Sequence, residues 1–188
     1  MENRKNVTRI TGGLWKRTHV SIVPGFSVRP TPGRVRETIF NWIRQDKELA
    51  NCRALDLFCG SGVLGLEALS RGCLSVSFVD KDKQCLLKIE QLLSRLHADE
   101  KAEFINDEAS NWLEHSACLQ YDLVFLDPPF SFKNPSIYLS KVKPFVKTNG
   151  LVYLEMNRSR SIMLESGVEC WKSARAGVIH YGLYRILY

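Results

Sequence analysis

The 188-residue sequence has no apolar run near the roughly 20 residues that a membrane span requires. Its opening, MENRKNVTRI, lacks the apolar region of a secretory signal peptide. Six cysteines are present, at 52, 59, 73, 85, 118 and 170, yet no two form a C-x-x-C pair. Thiols scattered in this way argue against a zinc site or a disulfide framework and point to a reducing compartment. The four histidines, His19, His97, His115 and His180, share no motif, and no metal is implied. Internal repeats, low-complexity tracts and long linkers are also missing. What remains is an ordinary globular composition, 45% apolar and 24% charged, long enough for one domain with a proper core. A cytoplasmic protein with no membrane partner is the expectation.

Acid is scarce in one region. Residues 1–50 hold ten Lys or Arg against four Asp or Glu, whereas residues 51–188 hold sixteen of each. All of the +6 net charge therefore lies in the first quarter of the chain. A basic attachment (1–50) on a neutral body (51–188) suits a polyanion, because Lys and Arg gain affinity by releasing phosphate counterions. A solvated basic face is the alternative. Candidate phosphate contacts are Arg9, Lys16, Arg17, Arg34 and Arg36, with Arg29 placed either there or in the wall of a cofactor site.

Short apolar stretches at 8–11 and 18–23, around GGLWKR, predict a small hairpin. In RPTPGRVRETIFNWIRQ, Thr31 is expected to cap a helix whose first position is Pro32. Val35, Ile39, Trp42 and Ile43 would share its apolar face, and Arg34 and Arg44 the opposite one; Thr31 is also a candidate contact to the polyanion. From residue 53 the pattern alternates: strand RALDLF, helix VLGLEALSRG, strand SVSFVD, a helix over 83–97, strand AEFIN, a short helix near 109–116, and strand YDLVFLD. A helix in SIYLSKVKPF, the strand GLVYLE and two final strands follow. Such alternation predicts an α/β fold with a mostly parallel sheet covered on both faces.

In that fold, ligands sit beyond the carboxyl ends of the strands. The first such end is LDLFCGSGVLG, where Gly60, Gly62 and Gly65 fit G-x-G-x-x-G and Asp80 ends the next strand. Glycines let the backbone approach a ligand, and the acid is suited to two ribose hydroxyls. This pattern also fits a nicotinamide dehydrogenase. Asp56, four residues before Gly60, tips the balance, since a carboxylate disfavours a pyrophosphate and favours the ammonium and sulfonium of S-adenosylmethionine. After the third strand, Asp107 and Glu108 are each able to accept from an adenine amino group. The bland alternative makes Asp56 a turn cap and the glycines mere bends.

The stretch VFLDPPF ends a buried strand on a carboxylate followed by two prolines and a ring. An exocyclic amine on a nucleobase is a poor nucleophile, because its lone pair is conjugated with the ring. Two acceptors aimed at its N–H bonds, the Asp127 carboxylate and the Pro128 carbonyl, would favour the pyramidal geometry of attack. Pro128 and Pro129 add no competing donor and stiffen the turn, and Phe130 offers a face for stacking. The structural alternative is an N-cap at Asp127.

Taken together, DLFCGSG … VD … NDEA … DPPF resembles the class I S-adenosylmethionine-dependent methyltransferases that modify amino groups. With RITGGLWKR and RPTPGRVRETIFNWI added, residues 8 to about 185 resemble the bacterial RsmD family, which methylates the N2 of one guanine (position 966) in 16S rRNA. The resemblance implies a Rossmann-like fold: a mostly parallel seven-stranded sheet, an antiparallel C-terminal strand and a small N-terminal β-hairpin. It implies S-adenosylmethionine as cofactor, S-adenosylhomocysteine as product, and 16S rRNA, within a small-subunit particle or assembly intermediate, as partner of a monomer. Carried over by position, Asp56, Phe58, Gly60, Gly62 and Asp80 hold the cofactor, with Glu108 beside Ala109, or Asp107, at its adenine. Asp127, Pro128, Pro129 and Phe130 form the catalytic turn. Two departures stand out. Pro32-Gly33 replaces a usual Thr-Asp, and Cys59 replaces a usual alanine and reads as a packing residue. An adenine-N6 methyltransferase and a non-catalytic RNA-binding protein on the same fold are the rival readings.

Overall fold

A computed structural model describes residues 7–23, 31–117, 119–129, 136–157, 162 and 164–188. Its main sheet has seven strands in the order β5-β4-β3-β6-β7-β9-β8. These are β3 (Arg53–Leu57), β4 (Ser75–Asp80), β5 (Ala102–Asn106), β6 (Tyr121–Leu126), β7 (Val146–Asn157), β8 (Val168–Ala176) and β9 (Ile179–Ile186). β3 to β7 pair in parallel, and β9 runs antiparallel between β7 and β8. A separate antiparallel pair joins β1 (Val7–Arg9) to β2 (His19–Ser21).

The strand order explains where a ligand would sit. From β3 the chain moves outward to β4 and β5, then returns to build β6 and β7 on the other side. The crevice at the carboxyl ends of β3 and β6 is thus the topological switch point. Helices cover both faces, as apolar strands such as LVFL require. On one face lie α1 (Gly33–Ile43), α2 (Val63–Ser70) and α3 (Lys83–Arg95). On the other lie α4 (Ala109–His115) and α5 (Ser136–Val142).

The N-terminal segment shares its core with the main sheet. Ile10, Val20, Val35, Ile39, Phe40 and Ile43 are buried in the same cluster as Leu66, Phe78 and Phe125. The Phe40 ring meets Phe125 of β6 at 5.8 Å, and Trp42, only half-buried, stacks on Tyr181 of β9 at 5.8 Å. The hairpin loop docks on the end of α2: Leu14 N–H donates to the Ser70 carbonyl at 2.6 Å, and Trp15 N–H to the Ser70 hydroxyl at 2.9 Å. Contact this close requires glycine, since a Cβ on Gly13 would lie 1.9 Å from the Ser70 carbonyl oxygen.

Two expectations change. The first helix begins at Gly33, with Pro32 at its cap position in extended backbone and no side chain capping it. Thr31 precedes a proline, which disfavours helical backbone, and its hydroxyl is engaged elsewhere. Arg36, expected on the surface, is 1% exposed.

Candidate active site

The loop after β3 shapes the floor of the crevice. Phe58 takes a left-handed conformation (φ 69°), rare for a bulky residue, and its ring meets Tyr138 of α5 edge-on at 4.9 Å. Gly62 caps α2 with φ 69°, and a Cβ there would strike Ile89 at 2.5 Å. Asp56, buried on β3, accepts from the Gly65 N–H at 2.9 Å and so ties the strand to the helix behind the loop. Burial drives its carboxyl well above the usual range, and the nearby Asp127 and Asp80 add to the rise. Two acids lining the crevice, with Asp80 close to one of them, leave it short of a positive charge.

Asp80, at the end of β4, fastens the loop from the side. Its Oδ2 accepts from Gly60 N–H at 2.7 Å and its Oδ1 from Asp82 N–H at 2.9 Å. Asn106 of β5 donates to the Asp80 carbonyl at 3.0 Å, which brings the end of β5 alongside. Beyond it, Asp107 accepts from Glu108 N–H and from the Asn111 amide, each at 2.8 Å, and is committed to the start of α4. Glu108 is exposed at the cap position of α4, whereas Ala109 packs in the core beneath.

Asp127 follows β6, directly beside the loop. Its Oδ2 accepts from the Thr31 hydroxyl at 3.0 Å. Burial pushes its carboxyl up to about 6, against the pull of that hydrogen bond. Pro128 is buried and Pro129 half-buried in the turn. Thr31, Asp56, Phe58, Gly60, Ser61 and Asp127 line one cleft together with Ile22, Val23, Val63, Leu64 and Cys85. Cys59 also lines it, and burial raises its thiol well above the ordinary value, as suits packing rather than reactivity.

The structure thus places Asp56, Phe58, Gly60, Thr31 and Asp127 around one cleft, with Gly62 and Asp80 supporting the loop. Asp107, Glu108 and Ala109 lie at the next strand end. Phe130 and Arg29 fall outside the described residues. Arg9, Lys16, Arg17 and Arg34 are exposed and form no ion pair among the described residues. Arg36 leaves the set of phosphate contacts: it is sealed against Glu67 of α2 at 3.2 Å, with its other donors on the Thr31 and Arg9 carbonyls. A charged residue in a basic stretch reads as solvent-facing, and the partner that buries it lies 31 residues away.

One acid in this region was not foreseen. Glu155 of β7 is 3% exposed and accepts from the Tyr153 hydroxyl at 2.8 Å. Leu154 pairs with Leu126, so Glu155 stands beside Asp127 at the same strand ends. Burial and then Asp127 raise its carboxyl to about 8. A lone acid in the apolar run GLVYLEM was its available signal.

A parallel sheet with one reversed strand near its edge, a glycine loop after the first strand of that sheet and an acid ending the next define the class I S-adenosylmethionine-dependent methyltransferase fold. Within that class, the family model described as conserved hypothetical protein 95 matches residues 8–185. The chain belongs to this family, which is the RsmD family. Ribosomal RNA small subunit methyltransferase D of Haemophilus influenzae is 34% identical over 97% of this chain and 96% of its own length. The Escherichia coli K12 protein of the same name is 30% identical, over 94% and 89%. Among solved structures, yhhF from Escherichia coli superposes with a TM-score of 0.84 at 27% identity, covering 96% of this chain and 98% of its own. SMU.776, solved with SAH, is 13% identical with a TM-score of 0.72 over 89% of this chain and 53% of its own, and shares the fold alone.

Proposed function

We propose that this chain transfers a methyl group from S-adenosylmethionine to the N2 amino group of a guanine in 16S rRNA of the small ribosomal subunit. One observation carries the reading: the glycine loop, Asp56 and Asp127 line a single cleft at the switch point. Family membership and the name shared by its relatives support the RNA substrate.

The residues fit the cofactor. Asp56, Asp80 and Asp127 leave an acidic crevice that a sulfonium and an ammonium would relieve and a pyrophosphate would aggravate. Gly60 and Gly62 let the backbone approach closely, and Asp80 has lone pairs to spare for ribose hydroxyls. Glu108, exposed after β5, is the better placed acceptor for the adenine amine, since Asp107 is committed to Asn111. When bound, the cofactor supplies a methyl group on an excellent leaving group. The protein then has only to position the amine. Asp127 would accept one of its N–H bonds and the Pro128 carbonyl the other, which would point the nitrogen lone pair at the methyl group that a bound cofactor presents. The methylated, charged amine would then give its proton to Asp127 or water. Phe130 would stack on the extruded base.

Residues 1–50 act as the RNA attachment and residues 51–188 as the catalytic body of a cytoplasmic monomer. The test is calorimetry with S-adenosylmethionine, followed by methyl transfer to naked 16S rRNA, an assembly intermediate and a finished subunit. Binding without transfer to any of the three would leave an RNA-binding protein and overturn the enzyme.

A further inference from the structure

We infer that Thr31 is a positioning residue for the Asp127 carboxylate, and that the buried Arg36–Glu67 pair exists to hold Thr31 in place. This rests on the methyl-transfer reading above and reassigns Thr31, which the sequence groups with the RNA contacts.

The geometry is a chain of hydrogen bonds across four elements. Thr31 is 1% exposed, and its hydroxyl gives Asp127 Oδ2 the one hydrogen bond that the carboxylate receives from the described residues. With that oxygen engaged, Oδ1 is left as the acceptor for the amine. The Thr31 carbonyl in turn accepts from Arg36 Nη1. Arg36 spends its remaining donors on Glu67 Oε2 at 3.2 Å, the Thr8 hydroxyl at 3.4 Å and the Arg9 carbonyl. Glu67, fully buried on α2, also accepts from Arg71 at 2.8 Å and from the Thr11 N–H and hydroxyl. Hairpin, α1 and α2 therefore converge on one guanidinium, and that guanidinium grips the peptide next to Asp127. A planar donor with its N–H groups in fixed directions is suited to such a task, because it fixes orientation as well as distance.

Charge makes the hydroxyl matter. The titratable groups facing Asp127 are Asp56 from β3 and Glu155 and Tyr153 from β7. No cation among the described residues bonds to it. Burial raises its carboxyl to about 6, and the Thr31 hydroxyl is the contact that opposes the rise. A donor to the ionised form favours ionisation. Without it, Asp127 would hold its proton at higher pH and lose an acceptor for the amine.

Thr31→Val removes the hydroxyl at nearly constant volume, and Thr31→Ser keeps it. The valine variant should lose about 10- to 100-fold in kcat while S-adenosylmethionine affinity and the KM for RNA stay within about twofold. The acidic limb of its pH–rate profile should move up by roughly one unit. Serine should restore both. A valine variant with wild-type kcat and an unmoved limb overturns the proposal, as does one with a raised KM for RNA and intact kcat, which would make Thr31 an RNA contact. Carboxyl 13C titration of Asp127 in the cofactor-free protein separates the two claims. An unmoved titration in Thr31→Val sinks the positioning role. Failure of the wild-type chain to methylate rRNA sinks the reaction reading, while a shifted titration would still uphold the role of Thr31.

Discussion

On the proposed mechanism Asp127 has two duties that burial sets against each other. It accepts from an amine most strongly when ionised, yet it must sit in a cleft dry enough to make that contact strong. Replacing it with alanine should leave cofactor affinity nearly unchanged and cut turnover by two or more orders of magnitude, because it removes an acceptor aimed at the reacting nitrogen. Asp127→Asn should be partly active, since an amide oxygen still accepts. Single-turnover methyl transfer measures both, and an alanine variant at wild-type rate would refute the placing of the amine by Asp127. Glu155 supplies a second reading of the same environment. Burial and then Asp127 push its carboxyl up to about 8, above the ordinary glutamate range, so between the two values the folded chain keeps a proton that the unfolded chain loses. Its contribution to stability is complete at low pH and is lost as pH rises through about 8. Glu155→Gln keeps an acceptor for Tyr153 but cannot ionise. It should match the parent near pH 5 and exceed its stability by about 1 kcal/mol or more at pH 8. Parallel stability curves in urea would show that Glu155 is not raised.

Among the elements, the first fifty residues carry both charge and structure, and the two are separable. Arg9, Lys16 and Arg17 project from the hairpin into solvent, while Arg36 faces inward. Changing Arg9, Lys16 and Arg17 together to Ala should weaken RNA binding and flatten its salt dependence. With one single-strand phosphate contact each, the log–log slope falls by about 0.7 per residue, or about two units in all. Cofactor binding should not respond. An equally steep slope would place RNA elsewhere and leave the hairpin a solvated face. Glu67→Ala probes the other role. It would strand the Arg36 charge in the interior, at a cost of about 3–5 kcal/mol in a urea titration. A loss below 1 kcal/mol would mean that hairpin, α1 and α2 do not depend on this pair. The contrast also shows what a sequence discloses. Strands and helices from residue 53 onward were legible, because apolar periodicity and glycine punctuation are local. So were the glycine loop, Asp80 and Asp127, each marked by its place at a strand end. Long-range pairing was not. Thr31 looks like a helix cap until Asp127, 96 residues on, takes its hydroxyl. Arg36 looks like a surface cation until Glu67 buries it. The lone acids in VLGLEALS and GLVYLEM were the visible traces, since an acid in an apolar run needs a partner that the run itself does not contain.

At the scale of the whole molecule, the parts form a single line of function. On the proposed reading, a basic hairpin would meet the RNA, a buried ion pair ties that hairpin to α1 and α2, and the switch-point crevice would hold the methyl donor opposite an acid turn. The account depends most on which atom receives the methyl group. The direct measurement is to incubate the protein with small-subunit rRNA and radiolabelled S-adenosylmethionine, digest the RNA to nucleosides and separate them. The account predicts label in N2-methylguanosine alone. Label in N6-methyladenosine, or transfer to no nucleoside at all, would contradict it.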